Sequence, residues 1–218
     1  MKLNRRSVLG LIGTVGIGSG AAFGSGAFST VSATREVEVN VVGADGNGSE
    51  IATEFTDVLV DASADEVALR NSNGALVTDA SGLFPNSDSD SSNDTLTPEG
   101  GNNSQLSDSY VSLIANDVSV VFGYDNSGNG GSDERLMPNS TYDYSNGFFK
   151  LVNNDDGIST AFNVELSPDG DLLSDINGST DTYSEEVSAG AVSNLSATLE
   201  TGDSAQETED LTITITEV

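Results

Sequence analysis

The sequence predicts an all-β fold, a single Ig-like or jelly-roll-like antiparallel β-sandwich over residues 34–218, on three observations. Near the start of that span Val37, Val39 and Val41 alternate with Glu36, Glu38 and Asn40, which is the period of a half-buried strand. Near its end Leu211, Ile213 and Ile215 alternate with Thr212, Thr214 and Thr216 in the same way. Between these ends, short apolar runs are separated by Gly, Asn, Asp and Ser without a convincing helical period, as in a sandwich rather than a helix–strand alternation.

Taken in order, further strands are expected over 58–60, 66–70, 75–78, 110–115, 118–124, 147–152, 160–166, 182–187 and 195–200, where β-branched, aromatic and other apolar side chains concentrate. A short helical turn has room within 51–59. Asn153-Asn154-Asp155-Asp156-Gly157 lies between two apolar runs and reads as a hairpin turn more simply than as a cation site. Residues 86–104 and 125–134 are almost entirely small and polar, so they read as surface loop insertions, with a binding tip as the alternative. No break in composition divides the span, and its length suits one sizeable core.

Residues 1–33 read differently. Asn4-Arg5-Arg6-Ser7-Val8-Leu9 leads into an uncharged, glycine-laced run from Gly10 to Phe28, and Val31-Ser32-Ala33 supplies small residues before Thr34. Paired Arg5 and Arg6 ahead of a weakly apolar segment indicate a twin-arginine export signal, with cleavage between Ala33 and Thr34. The expected location is extracellular or at the cell surface, reached by a domain already folded. No second run approaches the roughly 18 apolar residues of a membrane span, so the signal segment is the sole candidate anchor.

Charge and missing residue types narrow the chemistry. The formal net charge is -28, all 35 acids follow the signal, and three of the seven basic residues (Lys2, Arg5, Arg6) lie inside it. Molar salt shortens the Debye length to about 3 Å and nearly removes the resulting self-repulsion. Acids dispersed among Val, Ile, Leu and Phe therefore indicate a halophilic folded domain rather than an acidic tail. Cysteine and histidine are both absent, which excludes disulfides, thiol nucleophiles, Ser-His-Asp triads and nearly all zinc or copper sites. So few cations also argue against a nucleic-acid partner.

Three groups of residues are candidate sites. Asp125, Ser127, Asn129 and Asp133 occupy oxygen-ligand positions of a calcium loop with Gly130 at its sixth place, but Leu136 stands where a bidentate Glu is required; calcium is the one candidate cofactor, and chance spacing in an acidic chain is the competing reading. Asn47, Asn93, Asn102, Asn139, Asn177 and Asn194 begin Asn-x-Ser/Thr sequons, with Asn93 and Asn102 best placed for glycosylation in the longest polar loop. Tyr142, Tyr144, Phe148 and Phe149 form the densest aromatic cluster, read as core with ligand stacking as the alternative. With 35 acids, some carboxylate pair meets any glycosidase spacing, so that criterion discriminates nothing.

Arg5-Arg6-Ser7-Val8-Leu9-Gly10, followed by Gly24-Ser25-Gly26-Ala27-Phe28-Ser29-Thr30 and Arg35-Glu36-Val37-Glu38-Val39, resembles a family of haloarchaeal secreted twin-arginine-signal proteins. The Gly-Ala-Phe-Ser step is distantly similar to the signal ends of TasA and camelysin proteins, surface β-sandwiches that form extracellular fibres or layers. Their signals typically continue with an acidic residue soon after the aromatic, whereas 30–34 carries no charge, so cleavage near Gly26-Ala27 stays open beside cleavage after Ala33. The resemblance implies a filament subunit in which Val37, Val39 and Val41 of one copy complete the sheet of the next. Pairing of the same strand within its own domain, beside residues 211–217, is the alternative, and alternation fits both.

The sequence thus points to an exported, non-enzymatic cell-surface or extracellular-matrix structural protein without a cofactor, whose candidate partner is a second copy of itself. The alternative is a soluble binding module holding calcium or a glycan through its polar loops. A secreted hydrolase working with carboxylates alone ranks last, because the commonest catalytic residue types are missing.

Overall fold

The computed structural model describes residues 34–43, 56–64, 66–77, 80–86, 106–124, 136–153, 161–204 and 206–218, all within the unit Ser32–Val218. Alternating burial builds them into twelve strands. These are β1 (Thr34–Gly43), β2 (Thr56–Asp61), β3 (Val67–Asn71), β4 (Leu76–Val77), β5 (Tyr110–Ser112), β6 (Val118–Phe122), β7 (Thr141–Asn153), β8 (Phe162–Pro168), β9 (Leu173–Ile176), β10 (Tyr183–Val187), β11 (Val192–Glu200) and β12 (Gln206–Glu217). Among the described residues there is no helix, and so none long and apolar enough to cross a membrane.

The strands form a 7-stranded sheet in the order β10-β8-β12-β1-β6-β3-β4 and a 5-stranded sheet in the order β5-β2-β7-β11-β9. Every second side chain of each strand turns inward. From the larger sheet Val37, Leu69, Phe122, Val164 and Ile213 meet Val60, Phe149, Leu151, Leu195 and Leu199 of the smaller in one core. Burying a side chain of this kind contributes about 1.5–3 kcal/mol, so this shared interior is what joins the two sheets. The all-β sandwich expected from sequence is the fold.

β1 lies in the middle of its sheet, not at an edge. It runs parallel to β12 in the register Thr34↔Gln206 through Gly43↔Ile215, and antiparallel to β6 at Arg35, Glu36 and Val37. Every other pairing between named strands is antiparallel. The first and last strands can pair in parallel because no hairpin has to connect them. In this structure the N-terminal strand therefore completes its own domain, beside the strand that contains residues 211–217.

Several expectations need correcting. The turn read at residues 153–157 does not join two paired strands, because β7 and β8 lie in different sheets; residues 154–157 themselves lie outside the described residues. The strand expected over 110–115 stops at Ser112, whose Oγ accepts the Ile114 and Ala115 N–H groups at 3.2 and 2.8 Å; this side-chain capping turns the backbone out of the sheet. Within 51–59, residues 56–59 are strand rather than helix, and 51–55 lie outside the described residues. β9 was not expected at all.

Candidate functional site

An irregularity in β7 shapes a concavity in the described surface. Its pairing with β11 passes from Phe149↔Leu195 to Tyr144↔Ala197, so 145–148 carry extra backbone that the partner strand does not match, a bulge. Gly147 makes this possible with φ of 104°, a conformation that L side chains rarely adopt. The Tyr110 hydroxyl donates to the Gly147 carbonyl at 2.6 Å and pins the bulge to β5. Gly147→Ala should cost about 1–2 kcal/mol through its positive φ, or roughly 3–6 °C in Tm for a chain this long, measured by thermal melting at molar salt.

Beside the bulge opens a cleft of about 490 Å³, with Asp61, Glu66, Tyr110, Tyr142, Asp143 and Tyr144 in its lining. Its aromatic floor continues into the core: the Tyr144 ring centroid lies 4.5 Å from Phe148 and 5.4 Å from Phe122. The cluster read from sequence is therefore split, with Phe148 and Phe149 buried and Tyr142 and Tyr144 half-buried at the rim. The polar groups are occupied locally. Tyr142 Oη accepts from Met137 N at 2.7 Å, Asp143 Oδ1 from Thr198 Oγ1 at 2.9 Å, and Asp61 Oδ1 from Ser63 N and Oγ at 2.9 and 2.6 Å.

A second group of polar side chains lies on the outer face of the smaller sheet, beside Phe84, Leu106 and Tyr110. Leu59, Leu106, Tyr110 and Val152 form an apolar patch there, with Phe84 and Val192 packed against it. Lys150 and Asp57 share this face. The Lys150 ammonium sits 4.9 Å from the Tyr110 ring centroid and donates to Asn194 Oδ1. Burial pulls the Lys150 ammonium below its usual range while the Asp61 carboxylate works in the opposite direction. The Tyr110 phenol is pushed up to about 12, first by burial and then by Asp61.

Asp57 is fully buried. Its Oδ1 accepts from Val58 N and Ser112 Oγ, both at 2.7 Å, while Oδ2 has no partner among the described residues. Burial outweighs both hydrogen bonds and raises its carboxyl well above the ordinary range. Glu209 is the other buried acid among the described residues; desolvation raises it too, against hydrogen bonds from Leu172 and Leu173 N and with Asp169 and Asp171 adding to the rise. Its Oε2 accepts Leu172 N at 2.6 Å, so β12 holds the backbone that leads into β9.

The residues singled out by sequence are scattered. Arg5, Arg6, Ala33, Asn47, Asn93, Asn102, Asp125, Ser127, Asn129 and Asp133 lie outside the described residues. Leu136, at the twelfth position of the calcium spacing, is buried in the main core, so it does not face a ligand. Among the described residues no three His, Cys, Asp or Glu side chains group as metal ligands. Thr34 opens β1, and Val37 is buried in the core; Val39 and Val41 pair by backbone register with Leu211 and Ile213. Asn139 and Asn177 are exposed in left-handed backbone with φ of 50° and 52°, and Asn194 sits within β11.

Sequence reasoning passed over Lys150, Tyr110 and Asp57. Lys150 did carry a signal, as a lone cation in the apolar run Phe148-Phe149-Lys150-Leu151-Val152 of a very acidic chain.

No family model matches the chain, and no curated protein matches it. Among solved structures it is similar to the major pilin of Streptococcus pyogenes at 15% identity and a TM-score of 0.25. Two single-substitution variants of that pilin match at 15% and 16% identity with TM-scores of 0.24. Each match covers 85% of this chain and 47% of the pilin chain, so this chain spans about half the length of the structures it matches. At these scores neither the pilin's fold nor its role transfers to this chain.

Proposed function

We propose that this is an exported, non-enzymatic subunit of a cell-surface or matrix structure in a halophile, able to join copies of itself through β1. The observation that carries the reading is the place of β1: the first strand after the expected signal fills a central slot between β12 and β6. A strand from a second copy has the same sequence and offers that slot the same register and backbone hydrogen bonds. Exchange then leaves the contacts of each domain unchanged while linking one chain to the next, a form of strand addition.

Several features support this setting. The twin-arginine pattern suits a domain that folds before export, and the dispersed acids suit molar salt. Exposed sequons at Asn139 and Asn177 suit a glycosylated surface. Native protein isolated at molar salt should appear as filaments by negative-stain electron microscopy; uniform small particles from both cells and medium would overturn the polymer.

A further inference from the structure

Lys150 is the single lysine after Lys2, and it sits in the middle of the smaller sheet. Its neighbours Phe149 and Leu151 point into the main core, so strand alternation turns Lys150 to the opposite face, against the patch of Leu59, Tyr110 and Val152. A cation that is 8% exposed ordinarily requires an opposite charge in contact. The group that meets it here is a neutral carboxamide. Asn194 is its direct register partner on β11, and Nζ donates to Asn194 Oδ1. The Tyr110 ring covers the ammonium from one side, and Asp61 lies on the same face of β2, two residues beyond Leu59, which is the register partner of Lys150.

We propose that Lys150 and Asn194 join in an intramolecular isopeptide bond that ties β7 to β11. Nζ gives a proton to Asp61 and attacks Asn194 Cγ. The Nζ–Cγ bond forms, the Cγ–Nδ2 bond breaks, and Nζ gives up a second proton. Asp61 relays both protons to the departing nitrogen, which leaves as ammonium. One amide replaces another, charge is conserved, nothing is oxidised or reduced, and the chain supplies both reactants. Asn194 is exposed, so the ammonium has a path to solvent. Burial favours the neutral amine that attack requires, and fixed adjacent strands hold amine and carboxamide together without further loss of freedom.

The bond secures the strand pair next to the β7 bulge, where the ladder is interrupted. Crosslinking residues this far apart in sequence restricts the unfolded chain, by the same reasoning that applies to a disulfide, in a protein that has no cysteine. It also consumes the nitrogen that a glycan needs at the sequon Asn194-Leu195-Ser196.

Native protein is purified at molar salt, denatured, cleaved at acidic residues and mapped by mass spectrometry. The expected result is a branched peptide that joins the fragments containing Lys150 and Asn194, lighter than their sum by one ammonia. Linear peptides with a free Lys150 amine and an intact Asn194, or a glycan on Asn194, would overturn the bond. Because the wild-type chain decides this, a variant that fails to fold does not obscure it. Asp61→Asn keeps both reacting groups and should leave the chain largely uncrosslinked; crosslinking at the wild-type rate would overturn the proton relay.

Discussion

Val37→Asp should abolish cooperative folding of the chain at molar salt. Val37 is 2% exposed and packs in the main core, and its strand has a neighbour on each side, with Val37 paired to Glu209 of β12 and Val120 of β6. A new carboxylate there would enter an apolar interior where the nearest buried acid, Glu209, is itself already costly to ionise. An unpaired buried charge costs about 4 kcal/mol or more, a large part of the 5–15 kcal/mol that typically holds a domain together. The control is Thr216→Asp on β12, an exposed position where an acid should change stability by no more than about 0.5 kcal/mol. Melting followed by circular dichroism separates the outcomes. A cooperative Val37→Asp transition within a few degrees of the parent would mean that β1 does not hold this slot.

The period of the sequence revealed which residues face inward but not which strands lie side by side. Leu211, Ile213 and Ile215 alternate with threonines and are buried as alternation requires. That β12 accepts β1 in parallel is a long-range choice on which local pattern is silent. β7 was half legible: 147–152 is a dense apolar run, whereas Ser145-Asn146-Gly147 looks like a turn and is in fact a bulge within a strand ending at Asn153. β9 was illegible for a related reason. Leu173-Ser174-Asp175-Ile176 is short and lies among Asp169, Gly170 and Asp171, and what makes it a strand is pairing with β11 plus backbone donation to Glu209. The outer-face patch was hidden because Phe84, Leu106 and Tyr110 come from a stretch whose sequence is otherwise polar, and their contact with Leu59 and Val152 arises only when the chain folds over the sheet.

The acids divide in a way that composition alone does not disclose. Among the described residues, Asp57 and Glu209 are the buried ones, and the rest contribute to the charged surface that molar salt screens. Screening by mobile ions acts poorly on an interior group, so these two carboxyls keep their desolvation cost in brine. They are therefore where pH should act most strongly on stability.

Asp57→Asn should make the domain progressively more stable than the parent as pH rises from about 4 to 7 at fixed molar salt. The fold raises the Asp57 carboxyl well above the ordinary aspartate range, with burial the main cause. The folded chain thus holds that proton more tightly than the unfolded chain. The stability tied to it is complete below the unfolded value and is lost as pH climbs toward the folded one. Asn cannot ionise, and its Oδ1 can still accept from Val58 N and Ser112 Oγ, so the variant lacks this loss. The gap between variant and parent should widen by up to about 1.4 kcal/mol per pH unit, the limit for one proton, and then level off once the folded carboxyl itself ionises. Glu209 drifts in the same direction in both chains and cancels in the difference. Chemical denaturation at a series of pH values measures the gap; a constant difference would mean that Asp57 titrates alike in both states and that its site is wet.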